Sequence, residues 1–285
     1  MTWWCSAQDT AWEWVWQPYV GVWLLVAALL LGYAAALKRL GPAEADPPAT
    51  RREVTSYLLG VLVLWIAADW PVGPLAAGYL VSVHTVQFLL FTMAVPPLLI
   101  SGTPQWLLRR MIRPRWAGRV ARLLSRPLVA FAMFNVVLLA THLPVVVDGL
   151  AGSQLGSFFK DMLWLLAGLV FWWQVLGPLP ELRPLSYPGR ILFLLLNVFI
   201  PTVPAAFLTF ADYPIYALYE LAPPVGWLSA RDDQQLAGIL MKIVGGFIIF
   251  GTASVLYFRW YSREEAASAA LNARHRETGS GKRET

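Results

Sequence analysis

Few side chains in this chain of 285 residues could do chemistry, and most of them sit inside or beside apolar runs. His84 and Gln87 are three apart and share a helix face. A neutral imidazole there would serve as a metal ligand or proton carrier, or would simply bond a neighbouring helix. His142, in Thr141-His142-Leu143-Pro144, is open to the same two readings: ligand, or solvated cap near an interface. Ser157 and Asp161 are four apart; Asp161 could offer a metal a carboxylate, and Lys160 reads as its interfacial charge partner. Met241 and Cys5 are the soft atoms, a thioether and a thiol able to meet Cu(I), with packing as the alternative for Met241. Asp233, Gln234 and Lys242 open the last apolar run. A lysine that deep needs a carboxylate, for which Asp161 or Asp69 is available, or a lowered pKa. No phosphate-binding loop, GxSxG or HExxH occurs, so there is no self-contained catalytic set and the chain reads as a non-enzyme.

The elements that must position these groups are membrane helices. Hydrophobic residues make up 58% of the chain and charged ones 14%, against about 25% charged in soluble domains. Seven stretches approach the roughly 20 apolar residues a span needs: 19–37, 54–70, 76–100, 127–143, 158–177, 188–210 and 234–260. Of 22 Lys and Arg, 19 fall in alternate loops and the tail, notably Arg109 to Arg126. The positive-inside rule then places the N-terminus outside and the C-terminus in the cytoplasm. The fold expected is an all-α integral membrane protein, a bundle of seven transmembrane helices. It has an outer segment at 1–18, a membrane domain at 19–260 and a cytoplasmic tail at 261–285 that starts as a frayed helix and then becomes disordered. The net charge of +5 is distributed as membrane orientation requires and does not point to nucleic acid. The arginine-rich loop suits anionic lipid head groups. The lone Cys5 forms no internal disulfide. No cleavable leader is visible, and neither internal repeats nor the broken helices of secondary transporters are evident.

His84…Gln87, Val95-Pro96-Pro97-Leu98-Leu99, Gly102-Thr103-Pro104, Thr141-His142-Leu143-Pro144, Phe171-Trp172-Trp173, Gly177-Pro178 and Asp233-Gln234-Gln235-Leu236-Ala237-Gly238 with Met241-Lys242 occur in that order. Together they resemble the seven-helix cytochrome c oxidase assembly factor family, the CtaG type associated with caa3-type oxidases. The resemblance implies a multi-pass protein of the bacterial inner membrane whose partners are haem–copper oxidase subunits, and copper as cargo for the catalytic subunit. It also implies further histidines where this chain has Phe88 and the segment Ser157, Lys160, Asp161. Two other classes fit the pattern less well. A retinal protein would want a carboxylate on the third span, where His84 and Gln87 stand. A diverged paralogue moving metal or protons would want the transporter signatures above.

Overall fold

The computed structural model describes residues 2–41 and 47–280, and all of its regular structure is helical. In hydrocarbon a backbone must satisfy its own hydrogen bonds, which leaves apolar stretches of this length little but helix. In chain order the helices are α1 (Val20–Ala35), α2 (Arg51–Ala68), α3 (Val72–Gly78), α4 (Val81–Leu89) and α5 (Val95–Gly102). Then come α6 (Gln105–Met111), α7 (Arg115–Leu124), α8 (Pro127–Thr141), α9 (Pro144–Ala151) and α10 (Gln154–Leu176). The last four are α11 (Tyr187–Phe199), α12 (Thr202–Phe210), α13 (Ala217–Glu220) and α14 (Ala230–Ser280). Five stretches are long and apolar enough to cross a membrane, or up to seven if the bent pairs α2–α3 and α7–α8 each count as one.

The spans are less regular than an apolar pattern suggests, and prolines cause it. The run 76–100 predicts one span; the helix that crosses starts at Val81 instead, because Pro71 turns α3 46° away from α2. Broken helices, not expected from the sequence, occur at three further places. Leu90–Ala94 is a π-turn ahead of Pro96 and Pro97, α11 and α12 part at Pro201, and α7 meets α8 at 80° before Pro127. Each proline lacks an N–H and disfavours helix in the residue before it. The Arg109–Arg126 loop is itself largely helical, as the end of α6 and all of α7. After Ser262, where the sequence predicts a frayed helix and then disorder, the helix runs on to Ser280; its Glu- and Ala-rich composition favours helix. Lys282 and Arg283, and most of the 41–50 connection, lie outside the described residues.

At the centre stand α4, the π-turn and α5, 67% buried as a span against 11% for α1. α10 lies directly on them. A Cβ at Gly168 would sit 2.6 Å from the Thr92 carbonyl oxygen and 2.7 Å from Pro96, so only glycine permits this approach. Pro96 cannot donate to Thr92, and the indole of Trp172 does so instead, at 3.1 Å. On the other side Gly102 abuts the backbone of Tyr57, and the Tyr33 hydroxyl donates to its carbonyl at 2.7 Å.

Two stitches hold the end of the bundle at which α4 and α14 begin. Asp233 of α14 accepts the backbone N–H groups of Val81 and Ser82 and the Ser82 hydroxyl, capping α4 from another helix. Gln234 accepts the Ile215 N–H at 2.6 Å and donates to Tyr213 and Leu208, which ties down the 211–216 connection. The N-terminal segment docks over the same end. Ala7 donates to the Ala151 carbonyl at 2.9 Å, and the buried Cys5 thiol donates to Ala68 at 3.2 Å.

Asp233→Ala leaves the first N–H groups of α4 unmet and should cost about 2–3 kcal/mol, as for bonds to a charged acceptor. Thermal unfolding in detergent would show it as a lowered midpoint beside an unmoved Glu220→Gln control; equal midpoints would sink the cap. Burial pushes the Cys5 thiol well above its usual pKa. Iodoacetamide at neutral pH should therefore spare Cys5 in the folded protein and modify it fully after unfolding; labelling of the folded form would contradict this docking.

Candidate functional site

The start of α4, the end of α8 and the start of α10, with α13 and the N-terminal segment, form a buried polar chamber filled by their own side chains. α4 supplies His84 and Gln87, each 2% exposed, on the face the three-residue spacing predicts. α8 supplies His142 because Pro144 excludes helix from Leu143, so the helix ends with His142 as its cap, turned inward. α10 begins at Ser153, whose hydroxyl accepts the Gly156 N–H at 3.0 Å, and brings Lys160, Asp161 and Trp164 to the same level.

The hydrogen bonds fix the state of both imidazoles. His142 Nδ1 lies 2.7 Å from the Leu138 carbonyl, which can only accept, so Nδ1 carries the proton. The Tyr219 hydroxyl donates its one proton to the Ala76 carbonyl at 2.6 Å. Its oxygen, 2.9 Å from His84 Nδ1, must then accept from that nitrogen. Both rings thus present a lone pair at Nε2, and both Nε2 atoms are buried with no hydrogen-bond partner. The rings meet edge to face, with centroids 6.1 Å apart and planes at 83°. Trp164 packs on both, its own indole donating to Thr141 at 2.8 Å, and Phe88 closes the inner side against His142 at 4.9 Å. A histidine whose other nitrogen is held by a carbonyl or hydroxyl is oriented as metal-binding histidines are.

Beside the imidazoles lies a charged pair. Lys160 is 3.3 Å from Asp161 Oδ1 and 3.4 Å from Gln87 Oε1, with its ammonium 4.2 Å from the centre of the Trp164 ring. The contact with Oδ1 is ionic more than directional, since that oxygen has no well-angled donor. Asp161 Oδ2 accepts the Trp4 indole at 2.9 Å, and Gln87 donates to the Ala67 carbonyl at 2.9 Å. The sequence places Lys160 at an interface; the structure buries it to 2%, because its ammonium has carboxylate, amide and aromatic partners within the bundle.

Of the candidate metal ligands, His84 and His142 are in ring contact with each other, edge to face. No group of three or more His, Cys, Asp or Glu able to hold a metal exists among the described residues. Asp161 is engaged with Lys160 and Trp4. Cys5 bonds Ala68, and with its pKa raised it remains a thiol rather than a ligand thiolate. Met241 lines a separate crevice with Leu89, Met93, Leu138 and Asn197, and Phe88 forms the wall between that crevice and the chamber. Asp233 and Gln234 serve the stitches described above. Lys242 reaches neither Asp161 nor Asp69: it is exposed and donates to the Thr202 hydroxyl, while Asp69 takes the indoles of Trp23 and Trp65 at 2.8 and 2.6 Å. Tyr219, Tyr216, Trp164 and Trp4 escape the sequence analysis. Only the three-residue spacing of Tyr216 and Tyr219 hints that both turn the same way, and nothing local says towards what.

Comparison with known proteins places this arrangement. The chain is 27% identical over 270 residues to uncharacterized proteins of Mycobacterium bovis and Mycobacterium tuberculosis, covering 86% of this chain and 40% of theirs. An uncharacterized protein of Mycobacterium leprae is 24% identical over 279 residues, 92% of this chain and 41% of that one. The chain thus spans about two-fifths of the length of these relatives. No solved structure matches it. The family model described as cytochrome c oxidase caa3 assembly factor matches residues 31–263, which include both histidines, the Lys160–Asp161 pair and the Asp233 cap. A match over most of the chain, on the helices that build the chamber, makes the chain a member of the cytochrome c oxidase caa3 assembly factor family.

Proposed function

We propose that this protein assists the assembly of a haem–copper oxidase in the bacterial plasma membrane, in a non-catalytic role, and that His84 and His142 hold a copper ion in transit to the catalytic subunit. Family membership supports the first part. The observation that carries the second is the pair of buried Nε2 atoms, each oriented through Nδ1 and each without a partner. Neutral imidazoles suit copper, and Cu(I) accepts two nitrogen donors where Zn(II) asks for four ligands. The residues present therefore fit a monovalent ion held by two neutral ligands, with Lys160 and Asp161 offsetting each other beside it. As cargo, the ion would leave more readily from two donors than from a closed four-ligand cage.

Seven spans, with the N-terminus outside and the C-terminus in the cytoplasm, belong to the same reading. The alternation of basic loops supports it, and it sets the chamber in the outer half of the membrane. α7 then runs along the cytoplasmic face. Its Arg115, Arg119 and Arg122 share one side while Trp116, Val120 and Leu124 share the other, the pattern of an interfacial helix on anionic lipid. Oxidase subunits are the protein partners this role requires.

Membranes from a strain lacking the gene should lose oxidase activity while retaining haem a, with an altered CO-difference spectrum and rescue by added copper. Unchanged activity and spectra would sink the assembly role. Copper holding is tested separately on purified protein by competition with a chromogenic Cu(I) chelator. His84→Ala and His142→Ala should each lower Cu(I) affinity about 10- to 100-fold, the usual loss at a perturbed metal site. Wild-type affinity in the double variant would dismiss the two imidazoles as the copper site and leave the assembly role standing.

A further inference from the structure

From Leu236 to Phe258 the last span carries one charge, Lys242. It lies about 18 Å along α14 from Ala230, well inside the apolar stretch of this helix. Charged side chains in spans normally face the bundle interior or pair with one another. Lys242 does neither. Its side chain is on the outside of the bundle, its ammonium donates to the Thr202 hydroxyl, and among the described residues it makes no ion pair. Around it on one helical face are Ile239, Ile243, Phe247 and Phe250, 43%, 51%, 76% and 52% exposed. Between these lies Gly246, beside whose Cα there is open space. The face therefore combines an uncompensated ammonium, bulky apolar side chains and a notch where another backbone could come close.

We infer that this face of α14 binds a membrane helix of a different protein, one that carries an aspartate or glutamate at the depth of Lys242. Charge complementarity selects the occupant: in hydrocarbon a carboxylate compensates an ammonium far better than lipid tails or one hydroxyl can. A second copy of this chain does not qualify. Its carboxylates within spans, Asp69, Asp161 and Asp233, are buried and engaged, and Glu53, Asp232, Glu264 and Glu265 lie near or beyond the ends of the apolar stretches. The inference rests on the assembly reading for its setting, since that role requires an oxidase subunit alongside.

The test is photo-crosslinking in native membranes from a reactive side chain at Ile243, with Leu192 on α11 as an equally exposed site off this face. The expected adduct is with one other membrane protein, through a peptide from a spanning helix containing Asp or Glu. Lys242→Met should reduce its yield about tenfold, in keeping with a strong polar contact between membrane helices, and Lys242→Arg should retain it. Thr202 keeps its bond to Val198 in both variants, so the bundle stays intact. Adducts with lipid alone, with a second copy, or with a helix lacking an acid would overturn the inference, as would an undiminished yield from Lys242→Met. The adduct in a strain whose oxidase assembles normally without this protein would remove the assembly reading and keep the docking face. Lost oxidase with adducts to lipid alone would do the reverse.

Discussion

Two prolines in the middle of the central span determine how the bundle is built. Pro96 and Pro97 donate no backbone hydrogen bond, and in an apolar medium the carbonyls they leave open must find donors elsewhere. The Thr92 carbonyl finds the indole of Trp172, which requires α10 to lie against the π-turn, which in turn requires glycine at 168. That contact fixes α10 relative to α4. The register of α10 then brings Lys160, Asp161 and Trp164, two to three turns nearer the start of that helix, level with His84 and Gln87. The polar chamber at the start of α4 depends on that locked apolar middle.

The chamber is assembled from parts that could not stay in the membrane alone. Gln87 satisfies the Ala67 carbonyl and Lys160, Trp4 satisfies Asp161, and Tyr219 satisfies Ala76 and orients His84. Each stands on a different element, so the network also binds the N-terminal segment and the 211–220 region to the bundle. The two imidazole Nε2 atoms lack a hydrogen-bond partner, as do the Ser157 hydroxyl and Asp161 Oδ1 beside them.

Spans and candidate groups were legible in the sequence to different depths. The pairing of His84 with Gln87 followed from a three-residue spacing, and the end of α8 at His142 from Pro144. Both are local rules, and local rules survive folding. The angle of each span did not follow, because hydropathy reports length and not direction; Pro71, Pro127 and Pro201 bend helices that read as simple apolar runs. The burial of Lys160 was hidden for a similar reason. Its neighbours Gln87 and Trp164 are fixed by the packing of α4 on α10, and Lys160 taken alone looks like any charge near a helix end. Asp233 and Gln234 read as functional and prove to be stitches between helices, since a carboxylate near the start of one helix can as well cap another.

Charge decides what the chamber can hold. Lys160 and Asp161 offset one another, so the two neutral imidazoles see little net field at a distance but a nearby ammonium at close range. A divalent ion between them would face that ammonium with twice the repulsion of a monovalent one, and no carboxylate is free to compensate because Asp161 is already shared by Lys160 and Trp4. The same arrangement that leaves a four-ligand site out of reach therefore favours a singly charged ion under the proposed role. It also couples the two ends of the site: moving Asp161 away from Lys160 would strengthen the repulsion felt at the histidines. Docking of the N-terminal segment, through the Trp4 indole on Asp161, is the contact placed to control that distance.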